Sequence, residues 1–322
     1  MNRNDELEAF KQLNLTQVAA AYGYAVVGRI DPARASSVTM QHDGGDKIVV
    51  ARSRADGHWI YFSVRDLADS GSVIDFLQRR GVGSLGEVRK TLRPWLGGGG
   101  ELVRRITPSS YVADLQPIER DVASVRARFE AMDPLLASGH PYLCRDRHLA
   151  ADLLNAPRFA GRIRSDDRGN AVFPHYNRQG LCGFEMKNRG FTGFAKGGGK
   201  GLWASHIAED DRRLVIAESA IDALSYATLH PAADARFVSL AGQISPEQVE
   251  LVAAAAAKLP GGEVILAFDN DEGGTSLEST LREALSDTGR EVQLHQPAAA
   301  GEDWNDVLRA RGSAKPALSP GI

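Results

Sequence analysis

From residue 212 onward the chain alternates short apolar runs with helical segments, and no other feature limits the fold as tightly. Residues 213–217, 236–240 and 263–268 are strand-length and mostly apolar, and 291–295 is a further strand-length segment. Such runs suit strands buried on both faces rather than strands with one wet side. Helical segments at 220–229, 246–259 and 275–287 lie between them. Ser245 stands where a cap is needed, Pro246 occupies the first turn behind it, and Gly289 stops the third segment. Strands and helices in this order predict an α/β fold, with a mostly parallel sheet covered on both faces.

In open sheets of this kind, ligands bind beyond the carboxyl ends of the strands. Two strands here end in acid: LVIA runs into Glu218, and VILAF runs into Asp269 and Asp271. Residues two apart in an extended segment face the same way, so Asp269 and Asp271 can converge. Asp222 follows Glu218 by one helical turn and shares its face. Carboxylates crowded together repel, and a divalent cation removes the repulsion. Magnesium suits an oxygen-only site and completes its shell with water and substrate phosphate.

The stretch Asp-Asn-Asp-Glu-Gly-Gly from 269 to 274 admits other readings. A calcium loop would need a bidentate glutamate at its twelfth position, which here is Thr280. An aspartyl-phosphate phosphatase wants Asp-x-Asp-x-Thr, and Gly273 stands in place of the Thr. Acids that merely cap helices at a sheet edge would account for Glu218 or Asp222 alone, but less well for all four together.

AES-x-IDAL at 217–224, AFDNDEGG at 267–274 and EDWNDVL at 302–308 resemble the Toprim domain of bacterial primases and topoisomerases. The resemblance implies that Glu218, Asp269 and Asp271 hold Mg2+ or Mn2+ and that Asp222 joins them in catalysis. Asp303 and Asp306 match a later acidic motif more loosely. Upstream, AVFPHYNRQGLCGFEMKN and KGLWAS, within 171–205, read as a strand pair around 177–180 followed by a further strand. They resemble the basic subdomain that precedes Toprim in primases. Arg178, Lys187 and Lys200 fall on basic positions of that pattern. With Arg189 and Lys196 they are candidates to hold template or nucleotide phosphates.

The first hundred residues are expected to form a separate small domain. DELEAFKQLNLTQVAAAYGY has helical spacing, KIVVARS and HWIYFSV read as strands around Ala55-Asp56-Gly57, and helices follow through SVIDFLQRR and from Ser84 to near Pro94. GSVIDFLQ at 71–78 resembles the end of the primase zinc-ribbon domain. Residues such as Ser63 and Asp66 stand where that family has cysteines, and only His42 remains as a ligand type. The expectation is therefore a ribbon without zinc, held by Trp59, Tyr61 and Phe62. With Cys144 and Cys182 as the sole cysteines, neither a disulfide framework nor a four-cysteine zinc site is open to the chain.

These features divide the chain into a degenerate ribbon at 1–96, a linker at 97–118 and a basic subdomain at 119–205. A Toprim domain at 206–312 and a loose tail complete it. Net charge follows the same division: +2 over 1–100, +5 over 101–205 and −10 over 206–322. The opening MNRNDELEAFKQ is too polar for a signal peptide and no apolar run approaches a membrane span, so a cytoplasmic protein is expected. Gly81-x-Gly83-x-x-Gly86 follows a helix rather than a strand and is a turn. Lys196-Gly-Gly-Gly-Lys200 lacks the Ser or Thr of a phosphate loop.

The resemblance implies primer synthesis on single-stranded DNA from nucleoside triphosphates. A plasmid or integrative-element setting is implied, with a separate helicase or conjugation protein for unwinding. A Toprim nuclease and a dormant single-strand-binding module are the alternatives.

Overall fold

The computed structural model describes residues 3–28, 30, 35–53, 57–64, 69–97, 107–115, 120–242 and 244–313. The predicted turn at Ala55 and Asp56, the Asp66 position, most of the linker and the tail from 314 lie outside them. The chain divides into two compact units, Met1–Glu119 and Arg120–Ile322. Among the described residues no helix is long and apolar enough to cross a membrane.

The first unit is a five-stranded antiparallel meander with helices at both ends: β1 (Tyr24–Val26), β2 (Ser37–His42), β3 (Lys47–Arg52), β4 (Trp59–Ser63) and β5 (Ser70–Ser72), paired in that order. It is a ribbon-like sheet domain. The expected single N-terminal helix is two, Arg3–Lys11 and Leu15–Ala21. Asn14 breaks it because its side chain accepts from the Thr16 and Gln17 N–H groups and caps the second helix instead. Ser84 and Glu87 form the predicted capping box, but the helix continues through Pro94 to Leu96. Of the three aromatics expected to hold the sheet, Trp59 and Tyr61 are buried, whereas Phe62 between them faces out, as strand alternation requires.

Arg80 organises this unit. Its guanidinium donates to Asp69 at 2.9 and 3.1 Å, to Asp46 at 2.9 Å and to the Tyr24 hydroxyl at 2.8 Å. It also lies 4.4 Å from the Phe76 ring centroid. The Tyr61 hydroxyl donates to Asp69. His42 spends Nδ1 accepting from the Gly44 N–H and packs its ring beside Tyr24.

The second unit contains two sheets. One is antiparallel, with β6 (Asp133–Pro134), β7 (Arg164–Ser165), β8 (Ala171–Asn177), β9 (Gly180–Asn188) and β10 (Phe191–Phe194) in sequential pairing. The other contains β11 (Trp203–Ala204), β12 (Arg213–Ala217), β13 (Ala235–Ser239), β14 (Glu263–Ala267) and β15 (Glu291–His295), in the order β11-β13-β12-β14-β15. All its pairs are parallel except that of the short edge strand β11. Helices Ala220–Leu229, Pro246–Ala257 and Glu272–Leu285 connect these strands. The strands β12, β13 and β14, rich in apolar residues, are buried along nearly their whole length, whereas β15 at the sheet edge is only partly buried. One core takes Val215, Ala217 and Ile265 from the parallel sheet, Phe173 from the antiparallel one, and Trp304 from the final helix, Trp304–Ser313.

Candidate active site

The strand order brings two acidic strand ends side by side. β12 and β14 pair in register, with Ala217 opposite Ala267, so the residues that follow leave the sheet together. Glu218 Oε1 accepts from the Asp269 N–H at 3.2 Å. Gly274 makes this approach possible: a Cβ there would lie 2.2 Å from the Asp269 carbonyl oxygen and 3.2 Å from Glu218 Oε1. The second glycine of Asp-Glu-Gly-Gly is thus demanded by packing.

Glu218, Asp222, Asp269 and Asp303 line one cavity of about 590 Å³. Asp222 is buried, and its Oδ1 and the Oδ1 of Asp269 have no hydrogen-bond partner. Burial comes first in raising all three carboxyls, and mutual repulsion adds to it. Glu218 is pushed up to about 7 by burial and by Asp271, Asp222 and Asp303, against the Asp269 N–H bond. Asp222 is raised by burial and Asp303. Asp269 is raised by burial and by Asp222, Glu218, Asp303 and Asp271.

The remaining predicted acids are placed differently. Asp271 is close enough to act on Glu218 and Asp269 but does not line the cavity; its Oδ1 accepts from the Gly274 N–H at 2.8 Å and caps the helix. Asp303 also caps, accepting from the Asp306 N–H. Asp306 lies outside the cavity and pairs with Arg309 at 3.3 Å.

The predicted cations also separate. Lys187 lines the acid cavity, with its ammonium 3.2 Å from the buried Glu185. Lys200 does not line the cavity. It donates to the Ala241 carbonyl at 3.0 Å, and burial lowers its pKa. Ala241 takes a left-handed φ of 58°, an uncommon conformation for alanine, in the loop whose Gly242 N–H bonds the Glu218 carbonyl. Arg189 is exposed and pairs with Asp146. Lys196 is exposed. Arg178 lines a different cavity and sits 3.6 Å from Glu250.

Sequence reasoning missed Arg147, Tyr142 and Phe191, which line the acid cavity. Arg147 donates to the Tyr142 hydroxyl at 2.8 Å and to Asn305 Oδ1 at 3.3 Å. The fully buried Asn305 returns a bond to the Arg147 carbonyl at 2.8 Å and another to Ser225 at 3.0 Å. Asn305 lies within the EDWNDVL motif, so a signal existed for one end of this tie; no local pattern marks Arg147.

The donor set fits a hard divalent cation: it is oxygen-only, two buried carboxylate oxygens lack partners, and Lys187 offsets the mutual repulsion only in part. Among the described residues, no three Asp, Glu, His or Cys side chains already stand at metal-ligand spacing.

In the unit that carries this sheet and these strand-end acids, residues 215–308 match the family described as Toprim-like. Residues 141–211 match a family described as protein of unknown function (DUF3991). No curated protein matches the chain. Among solved structures, the primase fragment of the bacteriophage T7 primase-helicase is 18% identical, covering 52% of this chain and 67% of that one at a TM-score of 0.37. The Aquifex aeolicus primase, with its zinc-binding and RNA polymerase domains, is 14% identical over 97% of this chain and 83% of that one, at 0.38. The T7 primase domains bound to an RNA/DNA hybrid with the lagging-strand polymerase are 19% identical over 56% and 86%, at 0.35. Likenesses this loose carry no weight of their own, and the assignment rests on the family match and the sheet.

Proposed function

We propose that the chain is a metal-dependent nucleotidyltransferase of the Toprim primase type, joining nucleoside triphosphates on a single-stranded DNA template. One observation carries this reading: carboxylates from two separate strand ends, Glu218 and Asp269, share a cavity with Asp222 and Asp303, and oxygens of two of these acids are buried without partners.

In this reading Glu218, Asp269 and Asp222 hold Mg2+ or Mn2+, with Asp271 and Asp303 supplying further negative charge while they cap their helices. When bound, the ion supplies positive charge that activates the attacking hydroxyl and stabilises the transferred phosphate. These acids would leave part of the ion's shell to water and to phosphate oxygens of the nucleotide. Lys187 and Arg147 face the same cavity and meet those phosphates. Lys200, fixed beneath the loop after β13, positions that loop, and Asp306 is given no role. In this reading residues 119–205 are the basic subdomain and 206–312 the Toprim domain. A separate helicase or conjugation protein would open the template, in a plasmid or integrative-element setting.

The test uses the full chain with single-stranded template, labelled nucleoside triphosphates and Mg2+ or Mn2+. Template-dependent incorporation is expected, falling at least about 100-fold in Asp269→Ala, as when a group that stabilises transition-state charge is lost. Cleavage of the strand without nucleotides would instead make the protein a nuclease. Binding without turnover would make it a single-strand-binding module.

A further inference from the structure

Phe191 is a large apolar side chain left 44% exposed at the first position of β10, just past the turn at Gly190, which takes a left-handed φ of 67°. Its ring forms a wall shared by two cavities: the acid cavity, and a second of about 530 Å³ lined by Arg128, Met132, Phe184 and Met186 among others.

The ring's position is set by a neighbour that has no side chain. A Cβ built on Gly193 would lie 2.8 Å from Phe191 Cζ and 3.4 Å from the Met186 methyl. The ring therefore lies close over the bare backbone of its own strand, next to Met186, where any larger residue at 193 would displace it. One side is supported by the strand and the other is left to the cavities. That is the geometry of a stacking platform, not of a side chain awaiting a core.

The charges on either side indicate what the platform takes. In the second cavity Arg128 and Arg168 are set against Asp133, Asp166 and Asp167, so it offers phosphate no net attraction. Beside Phe191 the wall carries Phe184, Met132 and Met186, with the uncharged Ser165 and Asn170 completing it. A flat, neutral group fits this side, while phosphates belong with the ion, Lys187 and Arg147 on the other.

We propose that Phe191 stacks a nucleobase at the mouth of the acid cavity, holding it while its phosphate lies beside the carboxylates. This positioning role rests on the proposed function. The base could belong to the template strand or to the incoming nucleotide, and both are flat π-systems that an aromatic ring accepts without regard to sequence.

The experiment uses the full chain and two probes, a single-stranded oligodeoxynucleotide carrying one 2-aminopurine and free 2-aminopurine nucleoside triphosphate. Stacking is read as fluorescence quenching on binding. Quenching with the oligonucleotide identifies a strand base, and quenching with the free nucleotide alone identifies the incoming one. Phe191→Ala and Phe191→Leu should each weaken the quenching probe about 10-fold and remove the quench, while Phe191→Trp keeps both. Gly193→Ala, which leaves Phe191 in place but pushes its ring away, should behave as Phe191→Ala. Wild-type quenching and affinity in Phe191→Leu would overturn the platform, even with template-dependent synthesis intact. If the wild-type chain binds neither probe, the proposed function fails and the platform falls with it. An Asp269→Asn variant that has lost synthesis but still quenches would separate the two readings in the other direction.

Discussion

The two units treat buried carboxylates in opposite ways. In the first, Asp69 is drawn into a cluster whose charge is answered within the chain. Burial alone would raise its pKa, but hydrogen bonds from Arg80 and Tyr61, with the Arg80 charge, outweigh it and hold the carboxyl below its usual range. In the second, Glu218, Asp222 and Asp269 are raised by burial and by one another, and Lys187, the predicted cation lining their cavity, is already engaged by Glu185. A fold has no reason to crowd acids without a counter-charge, because such crowding costs stability. The ribbon unit thus carries its cation as a side chain, whereas in the proposed reading the second unit takes its cation from outside the chain. The difference separates a group that stabilises from a group kept for chemistry.

The largest expected effect removes the internal cation. Arg80→Ala should destabilise the first unit by about 3 kcal/mol, because Asp69 loses its main counter-charge and keeps only the Tyr61 hydroxyl and the more distant Arg79. Loss of amide-exchange protection across β2 to β4 in the full chain measures it, and unchanged protection would break the comparison from this side. Next comes the external cation. Mg2+ with nucleotide, at about 100 times its dissociation constant, should stabilise the second unit by about 2.7 kcal/mol. The first unit should not respond, and Mg2+ alone should do less. Protection of β12 and β14 against that of β3 and β4 reads this directly.

A smaller effect has the opposite sign to most substitutions. Without metal, Asp269→Asn should raise stability by about 1 kcal/mol, because it relieves repulsion in a half-buried cluster. A fall in melting temperature on that change, with EDTA present, would show that the carboxylate is structurally required.

The pH dependence should also diverge between the units. Glu218 is raised, so its folded form holds its proton longer than the unfolded chain does. In EDTA the second unit should therefore lose stability as pH rises from about 4.3, the ordinary glutamate value, towards about 7, and saturating metal should remove that loss. Asp69 is lowered, so its contribution is present above the ordinary aspartate value and is lost as pH falls through its folded pKa. Exchange measured at pH 5 and pH 7 gives the two slopes. Parallel slopes in the two units would show that their acids do not differ as argued.

Much of the parallel sheet was legible because its signals are local. Apolar runs such as 214–217 and 264–268, a Ser cap with Pro behind it and Gly289 each act within a few residues. The site was legible only in part. Strand-end acids announce themselves, and Lys187 sits in a recognisable hairpin. Yet nothing in the sequence tells Asp303, which faces the cavity, from Asp306, which turns away to Arg309. The direction of a side chain at a helix start depends on which acid takes the cap, and here Asp303 accepts from the Asp306 N–H. Lys200 reads as a phosphate ligand along the chain, but in the fold its ammonium is spent on the Ala241 carbonyl.

By itself, then, the sequence determined the alternation of elements, the caps that start them and the oxygen-only character of the acids, since each follows from residue type and short spacing. Only the tertiary structure decided which groups meet. Pairing β12 directly with β14 placed Glu218 against the Asp269 backbone across 51 residues of chain. The bare backbone at Gly193 laid Phe191 beside the acids. Arg80 reached Asp46 over 34 residues to answer its charge within the chain. Contacts at such separations are selected by sheet order and packing, which no local pattern of side chains encodes.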